Sequence, residues 1–259
     1  MNKKNLFLLS LLLVPLISCT TINRSVKVDP PIKSYVKINH LLNISECKKK
    51  FKDICPSPNY DFISLGSGMV IELVPGQTIV LTAGHVCEAD VDTEKVKSYS
   101  ESIHVTDHTG KQHQAHVIKA SADNGKGSID ACALWVPTLK TSGVKLSMFP
   151  PLVGQELYYI GSPAGVYHPP VVPIFTGIYS GSIDTSNSML SIPAVGGSSG
   201  SAVLDMNNRV VGILWAAHEF HHISIITNWD VTMIFLKDVY KMYRGVKTPA
   251  NGINLPIPR

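Results

Sequence analysis

Charge is scarce in this sequence. Asp, Glu, Lys and Arg make up 16% of 259 residues, and 23 basic against 19 acidic side chains leave a formal net charge of +4. Two of the basic residues, Lys3 and Lys4, stand at the extreme N-terminus, and without them the balance is 21 to 19. So even a balance predicts neither a nucleic-acid partner nor a polybasic membrane patch. Aromatic residues are few as well, at 7%. Hydrophobic residues overall make 44%, which excludes a disordered chain and suits a folded globular one. A chain of this length can bury one generous core or two small ones.

A long apolar run is also missing. The N-terminal stretch from Leu6 to Ile17 falls short of the roughly 18 residues a spanning helix needs. It follows Lys3 and Lys4 and leads into Ser18 and Cys19, which is the layout of a secretory signal over residues 1–18. Leu16-Ile17-Ser18-Cys19 also resembles the bacterial lipobox. That resemblance implies cleavage before Cys19, a lipid on its sulfur, and anchorage to a membrane of the bacterial cell envelope, facing the periplasm or the exterior. An ordinary signal peptide that ends near a cysteine is the other reading, and both predict export. Export makes Cys47, Cys55, Cys87 and Cys132 disulfide candidates, with three possible pairings. Cys47 and Cys55 would close a short loop.

Residues 19–60 are polar and punctuated by "DPP", "CKKKFKD" and "CPSPN". They read as a tether and an N-terminal extension, with one short helix expected around Leu41 to Phe51. From Asp61 to residue 245 the pattern is different. Short β-branched runs such as "TIVLTA", "DACALWV", "ELYYIG" and "VVGILWA" alternate with "PGQ", "HTGK", "SPAG" and "MNN". This predicts an all-β domain of two packed units meeting near Pro150. One helix is expected in "NWDVTMIFLKDVYKMYR", with Asp230 as its N-cap and Val231, Ile234, Phe235 and Val239 on its apolar face. Residues 246–259 form a Pro-rich tail.

Two stretches compete as the chemical centre. "HEFHH", residues 218–222, has the letters of a zinc peptidase, in which two histidines one helical turn apart share a metal. Here it follows "VVGILWAA" and precedes "ISIITNW", both strand-like, so a hairpin fits better. In extended chain His218 and His222 lie roughly 13 Å apart, too far to share one ion. Asp230 and Asp238 are the only downstream carboxylates offered as a third ligand, and neither has convincing spacing. No metal is expected.

The serine reading meets several demands together. Attack on a carbonyl needs a hydroxyl on a tight turn whose amides face the developing oxyanion. In "GSSGS", residues 197–201, only Ser199 has a glycine two before and one after it, so Ser198 and Ser201 are set aside. The amides of Gly197 and Ser199 would form the oxyanion hole. "TIVLTAGHVCEA" brings His85 to the end of an apolar strand. "GSIDACALWV" has Asp130 entering another, where a buried carboxylate needs a partner such as a histidine N–H. His85, Asp130 and Ser199 thus supply base, orienting acid and nucleophile, with Asp123 the weaker choice for the acid.

From Asp61 to Tyr243 the chain resembles the chymotrypsin-fold, trypsin-like serine peptidases. It is similar to the bacterial Deg-type periplasmic proteases in "GSGMVI", "LTAGHV", "IDACAL", "YYIGSPAG" and "TGIYSG". Its "GSSGSA" and "GILWAA" resemble the corresponding stretches of staphylococcal glutamyl endopeptidases. The resemblance implies two six-stranded β-barrels with the triad in the cleft between them, a protein or peptide substrate, and no cofactor. The chain departs from the family at Ser198, where Asp or Asn is commoner, and at Leu214, where the glutamyl enzymes carry a histidine. A pocket of Ala194, Leu214 and Ala217 would suit an apolar residue before the scissile bond. An assembled triad would also bring Cys87 and Cys132 together, so a disulfide between them is expected. A binding module that keeps the fold without turnover is the alternative.

Overall fold

The computed structural model describes residues 28–51, 60–88, 91–92, 94–122, 129–218 and 221–245. The first barrel is built from β1 (Tyr35–Cys47), β2 (Tyr60–Ile71), β3 (Ile79–Thr82), β4 (Val96–Thr106), β5 (Gln112–Ser121) and β6 (Ala131–Trp135). They close in the order β1-β2-β3-β6-β5-β4, each pair antiparallel. Closure leaves no strand edge open to another chain. Val36, Ile38, Met69, Leu81, Val105 and Leu134 are among the fully buried side chains of its core.

The expected helix around Leu41 to Phe51 is not formed. Those residues lie largely in β1, which pairs with β2 from Tyr35 to Ile44 and with β4 from Lys37 to Cys47; only Lys49–Phe51 makes a 3₁₀ turn. The barrel therefore begins at Tyr35, well before Asp61. Every second residue from Val36 points one way, but the third in that series is His40. Its Nδ1 lies 3.2 Å from the Val86 carbonyl and its Nε2 3.3 Å from the Glu101 carboxylate. These partners from β4 and the His85 segment let a polar residue be buried in a strand whose letters look solvated.

The second barrel follows β7 (Lys145–Leu146), which runs parallel to its outer edge at Arg209 and Val210. Its strands are β8 (Glu156–Ile160), β9 (Ile174–Ser182), β10 (Asn187–Leu190), β11 (Ala202–Asp205), β12 (Arg209–His218) and β13 (Ile223–Thr227). The order is β11-β8-β9-β10-β13-β12, and pairing of β11 with β12 closes it. Alternation along β8 serves two cores. Leu157 and Tyr159 fill the second barrel, while Tyr158 and Ile160 join the apolar cluster shared with the first.

One short helix, α1 (Gly84–Cys87), follows β3, and a long one, α2 (Trp229–Gly245), closes the domain. Asp230 lies inside the first turn of α2 rather than at its N-cap. Asn228 precedes the helix instead, and its carbonyl accepts both the amide and the hydroxyl of Thr232, at 3.0 and 2.8 Å. The buried face is Thr232, Phe235, Leu236 and Val239, whereas Ile234 is exposed. Thr232 takes the inward place because its hydroxyl finds partners there. The Pro-rich tail lies outside the described residues.

Candidate active site

The buried strand β3 runs straight into α1, and the chain turns there at Gly84. A Cβ at Gly84 would stand 2.0 Å from the Ser121 carbonyl oxygen, so no larger residue fits. The tight turn presents His85 to Asp130, the residue before β6. The carboxylate is engaged twice: Oδ1 accepts the His85 amide at 3.1 Å and Oδ2 lies 2.8 Å from Nδ1. Asp130 is 4% exposed and His85 41%. The acid is thus withdrawn from water, with the imidazole as its partner, while the ring still reaches solvent. Donation from Nδ1–H to the carboxylate leaves Nε2 as the proton acceptor. Asp123 lies outside the described residues.

A disulfide joins Cys87 of α1 to Cys132 of β6, with the Cα atoms 6.4 Å apart. It cross-links the element that carries His85 to the strand that Asp130 enters. Cys47 is also disulfide-bonded. Its expected partner Cys55 lies outside the described residues, as does Cys19.

The nucleophile turn follows β10 and leads into β11. Gly197 and Gly200 have φ of +91° and +87°, in the left-handed region that favours glycine. Ser199 sits between them, half-buried, whereas Ser198 and Ser201 are wholly buried and out of a substrate's reach. Gly200 lies against Thr82 and Ala83, which brings the turn beside the end of β3, just before His85. The amides of Ser198 and Gly200 are used, by the carbonyls of Val195 and Leu214 at 3.0 and 2.7 Å. Those of Gly197 and Ser199 donate to no other group among the described residues. Two N–H groups are therefore left for an incoming oxyanion, on either side of one whose N–H is taken. At Ser198, where relatives more often carry a carboxylate or amide, the hydroxyl instead lies 3.5 Å from that of Tyr159. Burial pushes the Tyr159 phenol up to about 12, against the lowering effect of that contact, and the phenol donates to the Pro193 carbonyl at 2.7 Å.

Ala194 and Leu214 are buried in one apolar cluster with Tyr159, Leu190 and Ile226, and Ala217 packs against it. The sequence offered no sign of a polar group here, yet Ser224 pairs with both Leu190 and Ala217. It is fully buried, and its hydroxyl has no partner among the described residues.

Of the "HEFHH" stretch, His218 is the last residue of β12, which pairs antiparallel with β13 from Ile223, so His218 is extended and not one helical turn from His222. The rings of His218 and His221 lie 4.4 Å apart, and Glu219 is outside the described residues.

Comparison with known proteins decides the family. Residues 66–213 match the trypsin-like peptidase domain. The chain belongs to that family. The match makes it a serine endopeptidase of the trypsin-like type. No curated protein matches it by sequence. Among solved structures, the active form of the Rv3671c protease from M. tuberculosis aligns with a TM-score of 0.60 at 19% identity, over 86% of this chain and 88% of that one. Its inactive form gives 0.56 at 18%, over 81% and 90%. The serine endoprotease from Yersinia pestis gives 0.58 at 17%, over 82% of this chain and 64% of that one. At such identities the likeness shows the shared two-barrel fold.

One residue of this trypsin-like peptidase escaped the sequence reading. Ser67, in "GSGMVI", is wholly buried, and its hydroxyl donates to the Gly197 carbonyl at 2.9 Å. The motif was visible, but nothing in its letters says that the serine faces the other barrel.

Proposed function

We propose that this trypsin-like peptidase is an exported, lipid-anchored serine endopeptidase that works through His85, Asp130 and Ser199. One observation carries the reading: Asp130 holds His85 by backbone and ring, while the Gly197 and Ser199 amides donate to no group among the described residues. His85 Nε2 takes the proton from the Ser199 hydroxyl as its oxygen attacks the scissile carbonyl. The two amides stabilise the oxyanion, and losing one such donor typically costs ~10²–10³ in rate. His85 then protonates the leaving amine, and the acyl-enzyme is hydrolysed by water through the same steps in reverse. Asp130 fixes the tautomer and stabilises the imidazolium. The apolar surroundings of Ala194, Leu214 and Ala217 favour an apolar residue before the scissile bond, because a charged one would be buried unpaired.

Treating protein that lacks residues 1–19 with a fluorophosphonate should label Ser199, located by mass spectrometry. Ser199→Ala should remove the adduct, and Asp130→Asn should slow turnover by about 10⁴-fold. A folded protein that takes no label would favour the binding-module alternative. Export and anchoring are tested separately. Protein from its host's membranes should carry diacylglycerol on Cys19, and Cys19→Ser should release it.

A further inference from the structure

Four successive carbonyls in the nucleophile turn each have a fixed partner. Those of Gly196, Ser198 and Ser199 accept the amides of Ala164, Ser201 and Ser67, at 2.7, 3.1 and 2.8 Å. That of Gly197 accepts the Ser67 hydroxyl at 2.9 Å. These peptides are trans, so C=O and N–H point in opposite directions. A bond that holds one residue's carbonyl therefore aims the next residue's amide. The bond on Gly196 aims the Gly197 N–H, and the bond on Ser198 aims the Ser199 N–H. These are the two oxyanion donors proposed above. Between them lies the Gly197–Ser198 peptide, held by Ser67.

Ser67 belongs to β2 of the first barrel, whereas the turn belongs to the second. Its Oγ accepts the Ser162 amide at 3.0 Å and donates to the Gly197 carbonyl. One hydroxyl thus joins the 3₁₀ turn Pro163–Gly165, which supplies the Ala164 amide, to the turn that carries Ser199. The Ser67 carbonyl in addition accepts the Thr82 hydroxyl at 2.8 Å, at the end of the strand that leads to His85. All of this is dry: Ser67, Thr82 and Ser162 are fully buried. Without the hydroxyl, a buried carbonyl and a buried amide would both lose their partner. Each such orphan is costly, and rotation of the flexible Gly197 peptides is the ready relief.

We infer that Ser67 is a positioning residue for the oxyanion hole, holding the 162–165 turn and the nucleophile turn in register across the barrel interface. This rests on the roles proposed for Ser199 and Gly197. The hole acts on the transition state, so its loss lowers kcat and leaves KM nearly unchanged.

The test uses an N-acyl-leucine ester and its thionoester counterpart. A developing sulfur anion accepts hydrogen bonds poorly, so an intact hole favours the oxygen ester. In Ser67→Ala, kcat for the oxygen ester should fall about tenfold to a hundredfold with KM within about twofold, and the oxygen-over-sulfur preference should shrink by a similar factor. Ser67→Cys, which keeps a weaker donor of similar size, should fall in between, and it serves if the alanine variant does not fold. Ser34→Ala deletes a buried hydroxyl outside this network, one that donates to the Ser142 carbonyl at 2.7 Å, and it should behave like the wild type. A folded Ser67 variant with wild-type kcat and preference, or an equal loss in Ser34→Ala, would overturn the inference. If wild-type Ser199 takes no fluorophosphonate, the proposed function itself has failed, whatever Ser67 does.

Discussion

Gly196, Gly197 and Gly200 stand within five positions of one another, and the letters do not rank them. A Cβ on Gly196 meets nothing within 4 Å. On Gly197 it would lie 2.5 Å from the Ser162 carbonyl, and on Gly200 2.0 Å from the Thr82 hydroxyl and 2.2 Å from the Ser67 carbonyl. We expect Gly200→Ala to destabilise by about 3 kcal/mol or more, from a left-handed backbone and overpacking together, with Gly196→Ala near neutral. Urea titration of both variants would check the ranking. The same limit explains why His85 and Asp130 could be paired from sequence while Ser67 could not. An aspartate entering an apolar strand advertises its need for a partner. A serine in a strand advertises nothing, and Ser67 answers to Ser162 and Gly197, 95 and 130 positions away.

At the level of elements, the hairpin between β4 and β5 turns on Asp107. Burial alone would raise its carboxyl. The Thr109 hydroxyl, the His113 ring and the amides of Thr109 and Lys111 outweigh burial and hold it at about 2. A carboxyl whose folded value lies below its unfolded one stabilises the fold above pH ~4, and that contribution fades as pH drops through about 2. It amounts to about 2 kcal/mol. Urea midpoints measured from pH 5 to pH 2 should fall in the wild type and change less in Asp107→Asn. The disulfide between α1 and β6 spans 45 positions and should contribute about 4 kcal/mol by restricting the unfolded chain. Converting Cys87 and Cys132 to Ser should lower Tm accordingly, measured by calorimetry. The pairing was legible because each cysteine stands two residues from His85 or Asp130. β1 was not legible, because His40 breaks its apolar alternation and the contacts that satisfy His40 come from elsewhere.

The whole molecule shows why the two barrels were readable in number but not in extent. Evenly spaced β-branched runs announce many short strands, and the "PPLVG" stretch near Pro150 separates them into two sets. Where the first set starts is decided by closure, which is a property of the entire sheet. The segment shared with the family begins at residue 66, inside β2, whereas β1 begins at Tyr35. A gene that started at residue 66 and kept everything after it would encode a cask short of a stave. β4 would present a long row of unpaired amides and carbonyls along the gap, and what remained of β2 a shorter one. Such edges invite pairing between molecules. The trimmed product should therefore elute from gel filtration as aggregate, while protein beginning at Val28 elutes as a folded species.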